Sequence, residues 1–333
     1  MAGAVLVVNA GSTSVKLHQV EGDHARPVDS LEEAEDLEAV AHRVVHGGPY
    51  FREPVLIDAE VREKIRELEA IAPLHNAPAL KWVEAAARVF PDVPQMAVFD
   101  TGFHATIPDD AATYALPRRW REEWGIRRYG FHGLSVQWCA EQVRVPRLVV
   151  CHLGGGCSVT AVRDGRSVDT TMGFTPLEGV PMATRSGSVD PGALGYLLHQ
   201  GRLNEETLGY ELAFESGLKG LAGTGDVREL EPESLALRVF VHRLAAAVAA
   251  MAASAGGLDA LVFTAGIGEN SALVRERACA RLRFLGVELD RGRNEAAEPD
   301  CEIAADDSRV RVHVIRAREE LVAARAARAL LGG

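Results

Sequence analysis

No CxxC pair, no long apolar run and no basic excess occur in this sequence of 333 residues. Its five cysteines (Cys139, Cys151, Cys157, Cys279 and Cys301) are odd in number and scattered. They suggest neither a thiolate zinc site nor a disulfide framework, and they point to a reducing compartment. The net charge of −11 argues against nucleic acid as the main partner. The apolar run Ala4 to Val8 is too short for a signal h-region and has no basic flank. The expectation is a cytoplasmic protein without a membrane partner. The longest low-polarity stretch, Leu244 to Ala255, falls short of a bilayer span and continues an amphipathic pattern from Leu235, so it reads as a packed helix. No GxxxxGK[ST] occurs, and Gly266-Ile-Gly-Glu-Asn270 does not complete GxGxxG, so neither a Walker A loop nor a dinucleotide fold is supported.

What is present is ordinary globular composition, 47% hydrophobic and 25% charged, in a chain long enough for two domains. The chain is organised around Leu148-Val-Val-Cys-His-Leu-Gly-Gly-Gly-Cys-Ser-Val159, a strand that ends in three glycines and restarts as a second strand. The stretch echoes Leu6-Val-Val-Asn-Ala-Gly-Ser-Thr-Ser-Val15 near the start. Both copies continue to a Gly beside charged residues, Glu21-Gly22-Asp23 and Asp164-Gly165-Arg166. The chain therefore reads as internally duplicated, with two hairpin loops suited to clamp phosphates, because glycine lets backbone N–H groups approach an anion.

In chain order, a hairpin is expected over 4–20, an acidic connector over 28–39, and a strand over Ala41–His46 that stops at Gly47-Gly48-Pro49. Asp58 caps a helix reaching about Ala70, and a second helix runs from near Asn76 to Phe90 with Pro78 in its first turn. Strands follow at Val93–Phe99, Ala260–Phe263 and Val310–Ile315, and helices at about Glu233–Ala255 and Arg318–Leu331. Arg118 to Arg128 mixes bases, acids and tryptophans and reads as a solvated helical face rather than a nucleic-acid patch. Residues 171–190 are too broken for a helix and too long for a simple connection, which marks a functional loop. Ala265 to Asn270 reads as a third Gly-rich loop. His42 and His46, four apart in a strand with no Glu after the first His, argue poorly for zinc, whereas Arg43 between them suits anion recognition. Asn9 to Lys16 offers an amide, hydroxyls and an ammonium within one turn, which suits phosphate and hydrated Mg²⁺.

Together the motifs Asn9-Ala-Gly-Ser-Thr-Ser-Val-Lys16, His42-Arg-Val-Val-His-Gly-Gly48, Pro73-Leu-His-Asn76, Phe99-Asp-Thr-Gly-Phe-His104, Tyr129-Gly-Phe-His-Gly133, His152-Leu-Gly-Gly-Gly156, Met172 to Gly179, Thr184-Arg-Ser-Gly187 and Phe263 to Asn270 resemble, in order, those of the acetate kinase family. The resemblance runs from Val5 to about Ala324. It implies an α/β fold of two duplicated, actin-like (ribonuclease H-like) lobes with a ligand cleft between them, 1–99 with 317–333 as the first lobe and 100–316 as the second. It also implies a homodimer, and reversible transfer of the γ-phosphoryl of ATP to acetate, giving acetyl phosphate and ADP.

By the same resemblance, Arg43, Asp100, His132 and Arg185 are the catalytic set. Arg43 and Arg185 hold the carboxylate and the phosphoryl oxygens in flight, and His132 donates to the same transition state. Val45, Leu74, Phe131 and Pro176 form the pocket for the acyl methyl group. Lys16, Ser12, His152, Leu153, Gly154, Gly155, Gly156, Asp226, Val227, Arg228, Gly266, Ile267, Gly268, Glu269 and Asn270 contact ATP. Asn9 and Glu319, or Glu320 beside it, anchor Mg²⁺, with Mn²⁺ as the alternative ion. The chain departs from the family in a short stretch between Lys16 and Arg43, further shortening around 142–147 and 228–234, Gly155 where Asn is usual, and Val136 where His is expected. Two other readings stand beside acetate: a kinase for propionate or butyrate, and a nucleotide sensor that does not turn over.

Overall fold

The computed structural model describes residues 3–10, 15–71 and 73–332. The chain divides into two compact units, 1–105 with 131–138 and 318–333, and 106–130 with 139–317.

The first unit carries strands β1 (Ala4–Ala10), β2 (Val15–Glu21), β3 (His24–Val28), β4 (Leu37–Val44), β5 (Val55–Leu56) and β6 (Gln95–Phe99). They lie in the order β3-β2-β1-β4-β6-β5. The second carries β7 (Arg147–Leu153), β8 (Cys157–Arg163), β9 (Arg166–Thr170), β10 (Ala260–Thr264), β11 (Cys301–Glu302) and β12 (Arg311–Val314), in the order β9-β8-β7-β10-β12-β11. Strand for strand the two orders are the same. So are the directions: antiparallel hairpins on one side, and parallel β1-β4-β6 matched by β7-β10-β12. The duplication read from the two glycine-containing hairpins extends over both sheets.

The central strands are continuous apolar runs because both of their faces are covered. Val5 to Val8, all of β6 and all of β10 are buried. The helices Pro73–Val89 and Glu319–Gly332 pack against β1 and β4, and the long helix Leu235–Ala255 packs on β7 and β8. That last helix is long and apolar enough to cross a membrane, but it buries Phe240, Leu244 and Val248 in the core of its unit.

Three expectations change. Residues 28–39 are not a free connector: Val28, Leu31 and Ala34 pack with Leu6, Val8 and Leu17, and β4 begins at Leu37. Single apolar anchors among acidic neighbours carry no periodicity, so the pattern hid them. The second helix starts a turn earlier, at Pro73, a residue suited to the first helical position. Ala265–Asn270 is a helix that begins directly at the end of β10, not a loop. The Asp58 cap holds as read, its carboxylate accepting from the Val61 N–H at 2.8 Å.

Candidate active site

Parallel strands end where ligands of open α/β sheets collect. In the first unit the ends of β1, β4 and β6 bring Asn9, Arg43 and Asp100 together, with Asn9 and Arg43 as register partners. Arg43 donates Nε to Asp100 at 2.7 Å and Nη2 to the other carboxylate oxygen, a bidentate pair. Its Nη1 donates to the Asn9 side-chain oxygen at 2.8 Å. Glu319, the first residue of the C-terminal helix, accepts from Asn9 Nδ2 at 3.2 Å and stands 3.5 Å from Arg43 Nε. Glu320 faces other company, with His18 among its electrostatic neighbours.

Asp100 is the buried member of this cluster, 1% exposed, while Asn9, Arg43 and Glu319 are half-buried around it. Burial, with the Glu319 charge, pushes the Asp100 carboxyl up to about 6 against the pull of Arg43. Burial also works against the Arg43 charge, but the Asp100 and Glu319 carboxylates outweigh it and raise its pKa further. Each group therefore holds the other ionised at neutral pH. The donors around the cluster are hard oxygens, the type that suits a divalent ion keeping most of its water. Asn9 and Glu319 fit that role. Lys16 lies exposed on β2 as the register partner of Asn9, and Ser12 lies outside the described residues.

His132 stands at φ +60°, a left-handed conformation costly for a residue with a Cβ and a mark of functional positions. Its backbone N–H bonds the Asp100 carboxylate, and the next N–H, of Gly133, bonds the Asp100 carbonyl at 2.9 Å. A Cβ at Gly133 would meet that carbonyl oxygen at 2.2 Å, so only glycine lets the helix Gly133–Gln142 start here. Of the residues expected at an acyl pocket, Val45 and Phe131 are buried, and Phe131 meets the His46 ring edge-on at 5.3 Å. The Leu74 side chain falls outside the described residues. His42 bonds Gln95 at 2.6 Å and His104 bonds the Phe131 carbonyl at 2.8 Å. Burial lowers both imidazoles to about 4, so both are neutral struts of this unit.

In the second unit a cavity of about 510 Å³ opens beside the turn between β7 and β8. Gly154 and Gly155 form one wall, Asp226, Val227 and Arg228 another, and Gly266, Ile267 and Asn270 a third. These are eight of the residues expected at ATP. His152, Leu153, Gly156, Gly268 and Glu269 do not line it. His152, Leu153 and Gly268 are buried, and Glu269 accepts the Ala265 and Ala317 N–H groups at 3.0 and 2.9 Å. Ala183, Gly225 and Ser271 also line it and were not expected. The small-residue run Gly223-Thr-Gly225 and the helix-capping Ser271 were the available signals. Arg228 and Asp226 bond each other, and the arginine lowers the Asp226 carboxyl to about 2.

Arg185 sits in the same unit with its Nη1 3.4 Å from the Pro176 carbonyl. Among the described residues no carboxylate lies within ion-pair distance of it. Burial lowers its pKa, the cost of a desolvated cation without a counter-ion. The 171–190 segment has neither helix nor strand. It is fixed by Arg128, whose guanidinium donates to the carbonyls of Thr170, Thr171 and Met172 at 2.8, 3.1 and 3.1 Å and to Glu178 at 3.0 Å. Tyr114 bonds the other Glu178 oxygen and accepts from the Phe174 N–H at 3.0 Å. Arg128 is thus no part of a solvated face, although Arg118–Glu122 is a short helix with no buried residue.

Comparison with known proteins shows the family. The acetokinase family model matches residues 24–325. The acetate kinase of Protochlamydia amoebophila is 47% identical, over 89% of this chain and 78% of that one. The acetate kinase of Microcystis aeruginosa is 46% identical, over 97% and 87%. Among solved structures, a propionate kinase from Francisella tularensis superposes with a TM-score of 0.91 at 34% identity, covering 98% of this chain and 99% of that one. The acetate kinase of Porphyromonas gingivalis gives 0.89 at 32%, covering 99% and 100%. With a family model spanning most of its length and relatives near half identical, the chain belongs to the acetokinase family.

Proposed function

We propose that the chain is an ATP-dependent acetate kinase. An acetate oxygen attacks the γ-phosphorus, the bond from that phosphorus to the β–γ bridging oxygen breaks, and acetyl phosphate and ADP result; the reverse reaction makes ATP. Acetate is ionised at neutral pH and needs no general base. The reading therefore gives Asp100 the task of orienting Arg43 rather than taking a proton. Arg43, Arg185 and His132 supply fixed donors and charge for the phosphoryl oxygens in flight, the main need of in-line transfer. Asn9 and Glu319 hold Mg²⁺, which neutralises phosphate charge when bound.

The observation that carries the reading is the contrast between two arginines. Arg43 has its bonds satisfied by Asp100 and Asn9, whereas the Arg185 guanidinium is partly buried against the Pro176 carbonyl and, among the described residues, has no carboxylate partner. A cation kept in that state is prepared for an anionic ligand. The Gly154 N–H is taken by the Gly156 carbonyl at 2.9 Å, so the glycines at 155 and 266 are the ones whose bare backbone faces the cavity and suits phosphates. Val45 beside Arg43 and the buried Phe131 favour a short acyl chain, with propionate as second substrate.

A homodimer in the cytoplasm completes this reading. The helices Pro191–His199 and Glu205–Phe214 bury none of their residues, and Tyr196, Tyr210 and Leu221 are about half exposed. Large apolar side chains exposed on these two helices and on the helix Gly217–Ala222 favour an interface between copies.

The test is acyl phosphate formation, trapped with hydroxylamine, for acetate, propionate and butyrate with ATP and with pyrophosphate. Fast ATP-dependent turnover that falls from acetate to butyrate supports the proposal. A folded protein that binds ATP yet turns over no pair is a nucleotide sensor instead.

A further inference from the structure

The helix Ala265–Asn270 walls the cavity of the second unit, yet with six residues it is too short to hold itself. Side chains grip both of its ends. At its start Ala265 stands at φ +64°, a left-handed conformation unfavourable for a residue with a Cβ. The Glu269 carboxylate holds it there by accepting the Ala265 N–H at 3.0 Å. At its end the carbonyls of Gly268 and Glu269 both accept from Nη1 of Arg275, at 2.9 and 2.8 Å.

Arg275 belongs to the next helix, Ala272–Ala280, and is only 2% exposed. Its Nε donates to the Asn294 side-chain oxygen and its Nη2 to the Asn294 backbone carbonyl, both at 2.8 Å. Asn294 in turn donates to the Ala272 carbonyl at 2.9 Å. Every partner is a neutral oxygen, and among the described residues no carboxylate pairs with this guanidinium. Keeping such a charge buried costs several kcal/mol that a methionine of similar length would avoid. What the guanidinium does that methionine cannot is satisfy two last-turn carbonyls at once, and place positive charge at the negative end of the helix.

We propose that Arg275, seated by Asn294, is a positioning residue for the nucleotide: it fixes the helix Ala265–Asn270 in the form that gives the cavity its third wall. The inference rests on the reading of that cavity as the nucleotide site. Arg275 touches no substrate and acts through Gly266, Ile267 and Asn270. Its effect should fall on nucleotide affinity and spare acetate.

The experiment is calorimetric binding of ADP to the full chain and to Arg275→Met and Asn294→Ala, with the acetate KM and the melting temperature of each. The expected result is at least a tenfold loss of ADP affinity in Arg275→Met and a three- to tenfold loss in Asn294→Ala, with the acetate KM within twofold. Ethylguanidinium added to Arg275→Ala should restore part of the ADP affinity, which a general loss of stability would not allow. A folded Arg275→Met with wild-type ADP affinity overturns the proposal, as does an equal rise in the ADP Kd and the acetate KM. Should Arg275→Met not fold, Asn294→Ala decides, and unchanged ADP affinity there overturns the proposal. If the unaltered chain fails to bind ADP, the nucleotide reading itself falls first.

Discussion

The two units share one strand order and differ in what stands at the ends of their strands. In the first, β1, β4 and β6 end in a tight ionic cluster of Asn9, Arg43 and Asp100, joined by Glu319. In the second, the equivalent strand ends lead to glycines and a short helix around a cavity of about 510 Å³, and among the described residues no carboxylate pairs with Arg185. The same sheet topology carries two kinds of strand end, one lined by paired charges and one by glycines around a cavity. Function follows the residues at the strand ends and not the topology.

The comparison breaks most sharply at Arg185. Replacing it with Ala removes the desolvated cation but nothing that lines the cavity, so turnover should fall by about a thousandfold or more. ADP affinity should stay within threefold by calorimetry. Unchanged turnover would remove Arg185 from the mechanism, and a large loss of ADP affinity would mean that it serves the ground state. Asp100→Asn comes next. It leaves the buried Arg43 without its bidentate partner, at a cost of about 3 kcal/mol to the first unit. Acyl phosphate formation should drop about a hundredfold, with ADP binding unmoved. If both half-sites weaken together, their separation is the wrong description.

How much of this could be read in the sequence depends on the range of the signal. Loops with a local signature were legible: the glycines of 154–156, the Asp58 cap and the broken 171–190 segment all stand as read. Arg43 and Asp100 were assigned to one catalytic set only through the family resemblance, and their direct pairing was not foreseen, because 57 residues separate them and nothing in their spacing says they meet. The Tyr114–Glu178–Arg128 network was missed for the same reason: its ties to the loop reach up to 64 residues along the chain. Gly266 to Asn270 was misread in kind, since two glycines in six residues argue against a helix and only tertiary partners on Glu269 and Arg275 reverse that.

Buried histidines give both units a pH dependence of one sign, His313 in the second and the pair His42 and His104 in the first, where the shifts are large. His42 and His104 are buried and neutral, with folded pKa values lowered to about 4 from an ordinary value of 6.5. Between those values the unfolded chain binds more protons than the folded one, so stability rises with pH. Their contribution is complete above about pH 6.5 and is lost as pH falls towards 4, at most about 3 kcal/mol for each ring. Urea melts of the wild type at pH 7, 6, 5 and 4.5 should show a steep loss over this window. His104→Gln, which keeps a donor towards the Phe131 carbonyl, should flatten it. An equal slope in the variant would assign the acid sensitivity to other groups.

The smallest effect sharpens the second half of the comparison. The family resemblance leads one to expect Asn at position 155, where this chain has Gly. A Cβ built there meets nothing within 4 Å, and the backbone is not left-handed, so a side chain enters without strain. Gly155→Asn should therefore fold as well as the wild type, with a melting temperature moved by no more than a few degrees. Position 155 lines the cavity, so the new amide gains a place from which to donate to a phosphate. One such bond is worth about 1 kcal/mol net, or roughly fivefold in ADP affinity. If affinity rises by that amount with the acetate KM unchanged, the open glycine wall is a site of weakened phosphate contact. If affinity falls instead, the space at 155 is itself filled by the nucleotide, and the bare backbone is what this chain uses to hold it.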